Sequence, residues 1–344
     1  MRVLIIGGTR FMGPYVVEKL SEAGHELSIF HRGKTKTKLP DGVKELLGDR
    51  DRLSEYAGEL RQLAPEVVLD MMVATEQHAR DLMVTFTGAA RRIVVVSSQD
   101  VYRAFGRVNR KEDGDVDPAP ITEESPLRKN LYPYRGEMLR TDDDPQRWMD
   151  DYDKILAERV IMSHPELPST ILRLPAVYGP HDPQHRMFLY LKRMLDGRQS
   201  ILLEEGEARW RWTHGYVENV ADAIALAVTS EQTAGRIYNV GESFALSVAE
   251  RIEHIAKVIK WQGRIVILPA ECVPEKLRWG INTAQDVVAN TSRIRQELGY
   301  SERIDVDEAF RRTIAWEREH FPVKVDSDQF DYATEDKALA QAEQ

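Results

Sequence analysis

The sequence predicts an α/β protein built on a doubly wound parallel sheet, followed by a smaller C-terminal α/β unit. Three observations carry this. Apolar runs in the first half, such as VLIIG and RIVVVSS, are continuous rather than alternating, as strands covered on both faces require. Helix-period segments separate those runs, and parallel neighbours need such crossovers. A glycine-rich turn, IGGTRFMG (6–13), ends the first run and opens the first helix pattern.

Taken in order, residues 3–7 read as a buried strand and 11–23 as a helix, because apolar residues recur there at three- and four-residue spacing. Strands follow at 26–30 (ELSIF), 44–48 (KELLG), 66–72 (EVVLDMM) and 92–98, with helix-like segments at 52–63 and 75–86. Residues 103–148 break the rhythm. They are rich in charge and proline, centred on DPAPITEESP, and an irregular connection of this length serves as a lid, a binding segment or a solvated insertion. Pattern resumes with a strand region at 169–179 and a helix at 187–196. An aromatic-rich stretch (209–216), a helix (217–229) and a strand (236–241) follow, and 243–322 reads as helices and short strands. The expected units are 1–175 with 213–242, and 176–212 with 243–325. Residues 326–344 are polar and expected to be a mobile tail.

The 344 residues exceed the usual single core, which fits two units. A net charge of −9 repels phosphate backbones, so no nucleic-acid partner is expected. Cys272 is the single cysteine, expected to be semi-buried. It allows no disulfide within the chain and fits a reducing compartment. No metal site is expected: HDPQH (181–185) spaces two histidines four apart, but Pro183 prevents an ordinary helix there. Arg10 interrupts the N-terminal apolar run, and no apolar stretch approaches the ~20 residues that span a bilayer. No membrane partner and a cytoplasmic location are therefore expected.

In the glycine turn, Gly7 permits a tight bend and Gly13 close packing of helix on strand, while the helix N-terminus offers free N–H groups to a pyrophosphate. This is the Rossmann arrangement for NAD or NADP. The second strand ends FHRGKTK (30–36), with Arg32 where NAD-selective sites carry an acid, so NADP is preferred.

The spacing G-x-x-R-x-x-G is similar to the G-x-x-G-x-x-G of extended or atypical short-chain dehydrogenases/reductases of the NAD-dependent epimerase/dehydratase family, and the resemblance covers residues 1–321. Arg10 replaces the family's middle glycine. The GGTRF form resembles an atypical branch that includes chloroplast stem-loop binding proteins. The resemblance implies cofactor contacts from Gly7, Gly8, Thr9, Arg10, Phe11, Met12 and Gly13, then Arg32, Asp49, Asp70, Met71, Ser97, Lys154 and Pro175.

It also implies Ser98, four before Tyr102 in SSQDVY, as the hydroxyl that orients the reacting oxygen. Gln99 and Asp100 stand where sugar dehydratases carry Asp and Glu, so Asp100 alone is left as a base. The family's Tyr and Lys are four apart on one helix, with a Glu four further on. Here Lys154 and Glu158 keep the second spacing, but Asp150 occupies the tyrosine position. Three accounts stay open: Tyr152 ahead of the helix and turned inward, Tyr132 or Tyr134 of LYPYRG reaching the site, or redox chemistry lost. Tyr152 is favoured, with Lys154 lowering its pKa and anchoring the ribose. Asp150 to Asp153 can also be an acidic first turn that complements the helix dipole.

On the substrate side the resemblance points to Tyr178, Arg211, Trp212 and His214, from VYG and RWRWTHGY. The expected function is an NAD(P)-dependent epimerase/dehydratase or reductase acting on a sugar or nucleotide sugar, with a homodimer allowed. The alternatives are an NAD(P)-binding scaffold or sensor without turnover and, more remotely, an RNA-binding relative.

Overall fold

The computed structural model describes residues 1–342. In chain order its elements are β1 (Arg2–Ile6), α1 (Met12–Glu22), β2 (Glu26–His31), β3 (Lys44–Leu47), α2 (Ala57–Gln62), β4 (Val67–Asp70), α3 (Glu76–Phe86), β5 (Arg92–Ser98), α4 (Arg103–Val108), α5 (Lys154–Met162), β6 (Ser169–Leu174), β7 (Ala176–Tyr178), α6 (Phe188–Leu195), β8 (Ser200–Glu204), α7 (Glu205–Arg209), β9 (His214–Tyr216), α8 (Val217–Thr229), β10 (Arg236–Asn239), α9 (Val248–Ile259), β11 (Arg264–Leu268), α10 (Ser292–Leu298), α11 (Val306–Glu319) and α12 (Tyr332–Ala342).

Seven strands form one parallel sheet in the order β10-β6-β5-β4-β1-β2-β3. Ile5 sits between Ile29 of β2 and Leu69 of β4. The continuous apolar runs have a simple cause. Side chains alternate across the sheet, so Val3 and Ile5 enter one core while Leu4 and Ile6 enter the other. The first core includes α1 and α8 residues, the second α3 and α5 residues. Each fully buried aliphatic side chain contributes about 1.5–3 kcal/mol. Strand order reverses between β1 and β4, and in open α/β sheets ligands bind at that crevice, beyond the carboxyl ends of the strands. Two small parallel pairs, β7–β9 and β8–β11, lie outside the main sheet. Among the described residues no helix is long and apolar enough to cross a membrane.

Four expectations need correction. The helix expected over 52–63 splits into a 3-10 segment (Arg50–Tyr56) and α2, with Arg52 outside helical geometry. The connection from 103 is not irregular throughout, since α4 opens it; Arg103 and Arg107 then both pair with Asp117. Cys272 is exposed, in a 3-10 turn with no buried residue. The polar tail, expected to be mobile, carries a 3-10 turn (Ser327–Phe330) and α12 over its described residues. Its polar groups have found partners: Arg193 of α6 holds Glu335 at 2.6 Å, Tyr332 donates to Asp196, and Arg198 pairs with Asp336.

Candidate active site

The glycine turn at the end of β1 is built for a close-approaching ligand. Gly7 and Gly8 have φ of 94° and 86°, in the left-handed region that glycine adopts without strain. A Cβ on Gly13 would stand 2.4–2.6 Å from the Gly8 backbone, so only glycine lets α1 start this near the strand. Phe11, at φ 50°, is a non-glycine residue held in strained geometry directly before α1. No side chain caps α1 and its first turn has no acid, which leaves the positive helix end open to an anion. Arg10 is exposed and its carbonyl accepts from Gly13 N. Met71 N bonds the Ile6 carbonyl, so the ends of β1 and β4 line the crevice together. These features fit a dinucleotide.

The basic loop after β2 is tied to this turn: Thr37 donates to the Thr9 carbonyl at 2.6 Å. Its shallow hollow is lined by His31, Gly33, Thr35, Lys36, Thr37 and Lys38, with Arg32 exposed beside them. Asp49 caps the following 3-10 segment by accepting from Asp51 N. Asp70 departs from expectation. It is fully buried, with one oxygen on Arg50 (2.8 Å) and the other accepting from Met72 N, so it shapes the crevice without facing it. The paired Arg50 was not singled out from sequence.

The start of α5 decides where Tyr152 lies. Asp153 is the N-cap of α5, accepting from Ile155 N (2.8 Å) and Leu156 N, so the helix starts at Lys154 and Tyr152 lies ahead of it. Freed from helical register, Tyr152 donates to Asp100 at 2.8 Å. Tyr134 reaches the same carboxylate oxygen at 3.1 Å, and the two rings lie 5.1 Å apart. Tyr152 and Tyr134 thus meet at one carboxylate. Asp150 is not a substitute base. It is buried and clamped by Arg140, with Arg147 3.8 Å away; burial is outweighed by the Arg140 hydrogen bonds, and its carboxyl is held below the ordinary range.

The connection between α4 and α5 therefore covers the site. Arg128, also buried, donates to the Asp100 carbonyl, and Tyr132 N bonds Asp153 at 2.6 Å. Burial pushes the Asp100 carboxyl up, against the Tyr152 hydrogen bond and the charges of Arg128 and Lys154. Asp100 Oδ1 has no protein partner. Burial and then Asp100 raise the Tyr152 phenol well above its ordinary value, so the expected lowering by Lys154 is overridden. The Lys154 ammonium stands 6.0 Å from the Tyr152 ring centre and donates to the carbonyls of Val96 (3.0 Å) and Val73; burial lowers its pKa. Ser98 Oγ accepts from Asp100 N, which leaves its O–H free to donate. Gln99 instead turns away, to the carbonyls of Val240 and Arg173.

Ser97 faces a different network. It donates to Glu158, which receives all-round contacts from Arg173; Arg173 reaches the Tyr102 hydroxyl, which donates to Asn239. Ser97 and Glu158 therefore brace β5 against α5 and β6. Pro175 lies between β6 and β7, near Gly215 and Gly241.

The expected substrate residues separate. Trp212 and His214 line an apolar cavity of about 360 Å³, together with Phe105, Tyr190, Trp210 and Trp279 among others. Arg211 does not line it; it pairs with Glu250 and donates to the Ala245 carbonyl. Tyr178 is buried behind the cavity and donates to Glu242. His214 Nδ1 lies 2.7 Å from the Trp212 carbonyl and must donate to it; burial and Arg251 keep the ring neutral by lowering its pKa well below the ordinary value. Arg251 and Tyr190, also in the wall, were missed. Their signal was present: Arg251 breaks the buried apolar stripe Val248, Ile252, Ile255 of α9, and Tyr190 sits beside Leu191 and Met194 on α6.

Comparison with known proteins agrees with this architecture. The model of the NAD dependent epimerase/dehydratase family matches residues 3–241. A 2'-dehydrokanamycin reductase of Streptomyces kanamyceticus is 25% identical over 309 residues, covering 88% of this chain and 79% of that one. A UDP-N-acetyl-alpha-D-glucosaminuronate decarboxylase of Bacillus cytotoxicus is 22% identical, covering 92% and 98%. The solved structure of the Bordetella bronchiseptica enzyme WbmG, in complex with NAD and UDP, superposes with a TM-score of 0.67 at 18% identity over 93% of this chain and 95% of its own.

Proposed function

The chain belongs to the NAD-dependent epimerase/dehydratase family, and from that premise we propose that it is an NAD(P)-dependent enzyme exchanging hydride with a carbinol or keto carbon of a sugar or nucleotide sugar. The carrying observation is the Tyr152–Asp100 hydrogen bond of 2.8 Å beside the Lys154 ammonium, at the carboxyl end of the sheet. In this reading 1–175 with 213–242 hold the cofactor, and 176–212 with 243–325 the substrate.

A dinucleotide held at the glycine turn would supply, through its nicotinamide, the hydride acceptor and donor. The protein's own residues do the rest. Gly7, Gly8 and Gly13 admit the pyrophosphate to the open end of α1. Lys154, whose ammonium gives two N–H groups to the carbonyls of Val73 and Val96, keeps its third for a ribose hydroxyl. Ser98 donates to the reacting oxygen. Tyr152 gives that oxygen its proton, or takes it, and Asp100 is the carboxylate with which the phenol trades it. Burial raises both the Tyr152 phenol and the Asp100 carboxyl, which keeps the phenol neutral and its proton in place until it is passed on. Gln99 is neither acidic nor directed at the site, which favours epimerisation or reduction over loss of water. Arg32, Lys36 and Lys38 beside the β2 loop favour NADP over NAD by offering cations to a 2′-phosphate.

The test is hydride exchange. With NADPH or NADH labelled at C4, a panel of sugars and nucleotide sugars is expected to give label transfer, with the NADPH dissociation constant the lower. Cofactor binding without transfer to any member of the panel sinks the enzymatic reading and leaves a nucleotide-binding sensor, which the raised Tyr152 phenol would suit. Lys154→Ala is expected to weaken cofactor binding; unchanged affinity and turnover would remove the lysine from the site.

A further inference from the structure

The proposed function leaves the carrier group of the substrate unnamed. The cavity beside α4 has the chemistry to name it. α4 begins three residues after Asp100 and contributes Phe105 and Val108 to the cavity wall, joined by its C-cap Asn109, so one short helix runs from the Asp100 segment to the cavity. Its aromatic wall is continuous: Trp279 meets Trp210 edge-on at 5.8 Å, Trp210 meets Trp212 at 5.7 Å, and Trp212 meets His214 at 5.4 Å. Leu246, Val248, Ile255, Ile281 and Val287 complete an apolar lining suited to a flat ring.

The polar groups in that lining are few and their commitments differ. Arg186 is taken: it pairs with Asp182 at 2.7 Å and donates to the Val177 carbonyl. Arg251 is not. Its guanidinium lies 5.0 Å from the Tyr178 ring and 5.2 Å from the Phe310 ring, and among the described residues it has neither a hydrogen bond nor an ion pair. Glu242, the acid that acts on it from a distance, receives the Tyr178 hydroxyl. The Tyr190 hydroxyl is likewise buried without a partner. His214, donating through Nδ1 to the Trp212 carbonyl, keeps Nε2 as an acceptor.

A buried arginine is always charged and calls for one negative partner, and a buried hydroxyl calls for a hydrogen bond. One free cation matches one negative charge. A diphosphate, with two or more, would leave charge unneutralised in an apolar chamber. Resting on the assignment of this chain as a sugar-directed enzyme, we propose that the cavity is its carrier-group subsite and takes a flat, apolar ring bearing a single carboxylate, seated on Arg251 and Tyr190, rather than a nucleoside diphosphate.

Calorimetric titration tests this without requiring turnover. The probes are 2-naphthoate, its neutral amide 2-naphthamide, and UDP, each with wild type, Arg251→Met and Tyr190→Phe. The naphthoate is expected to bind wild type at least about tenfold more tightly than the amide, since a charge-assisted hydrogen bond is lost. Arg251→Met is expected to bring the two together, and Tyr190→Phe to weaken naphthoate by a smaller factor. Tyr190→Phe removes a hydroxyl without a protein partner, so its thermal midpoint should not fall, and it keeps the test sharp if Arg251→Met, which gives up the Tyr178 and Phe310 ring contacts, misfolds. Equal binding of naphthoate and amide to wild type would overturn the proposal, as would UDP binding more tightly than naphthoate in an Arg251-dependent manner. Labelled-cofactor exchange is a separate measurement: its failure would remove the enzymatic assignment, while charge-selective ring binding at Arg251 would still stand or fall by titration.

Discussion

The molecule buries two kinds of polar cluster, and they differ in how fully the protein satisfies them. Between α5, β5 and β6, Glu158 and Arg173 use both carboxylate oxygens and all three guanidinium nitrogens, and Ser97, Tyr102 and Asn239 close the network. Around the site and cavity, Asp100 Oδ1, Arg251 Nη1 and Tyr190 OH are buried without partners. The first cluster is finished by the protein itself and fixes strands to helix. The second is left open, and an open buried valence costs about 1–3 kcal/mol until a ligand or a proton closes it.

The contrast can be broken at its open side first. Tyr152→Phe is expected to lower kcat by about 10²–10⁴ through loss of the proton partner, with cofactor affinity retained. Tyr134→Phe, which removes the longer of the two hydrogen bonds on Asp100, should cost less than about tenfold; the reverse order, read in steady-state kinetics, would move the acid role to Tyr134. At the closed side, Arg173→Met strands Glu158 in the interior and is expected to destabilise by about 3–5 kcal/mol in denaturant unfolding. Gly13→Ala drives a Cβ into the Gly8 backbone and should cost about 1–3 kcal/mol while weakening cofactor binding, as thermal shift with and without NADPH would register. Glu207→Gln gives the smallest change. Glu207 holds Trp279 N at the cavity wall, and burial pushes its carboxyl up to about 7. A raised carboxyl has its stabilising contribution in full below the unfolded value near 4.5 and loses it as pH rises through about 7. Glu207→Gln should therefore raise the thermal midpoint at pH 8 relative to wild type, and that advantage should shrink towards pH 4.5.

The sheet was readable because its rule is local. Continuous Val, Ile and Leu runs follow from burial on both faces, and the glycine turn from a close backbone approach, both visible within ten residues. The candidate site's contacts were legible only where chain and space run together, as between Ser98 and Asp100. Tyr134 meets Asp100 from 34 residues away through a connection with little secondary structure, and no periodicity marks that. Asp70 was misjudged because its partner Arg50 comes from the segment after β3. The tail looked mobile because its charges were counted as solvated, whereas Arg193 and Arg198 of the α6 region, 130 or more residues away, receive them. Arg251 was legible in principle, since a lone cation in an apolar helical stripe needs an explanation.

The Thr37 hydroxyl on the Thr9 carbonyl has a practical consequence for anyone altering coenzyme choice. It pins the element that would discriminate between the two coenzymes to the element that would grip them. Reversing charge alone, as in Lys36→Glu, should change the ratio of NADPH to NADH affinity. Thr37→Val should instead slacken both affinities together and leave their ratio nearly constant. Redesign at this edge of the protein would then have to keep the pin and change only what it presents.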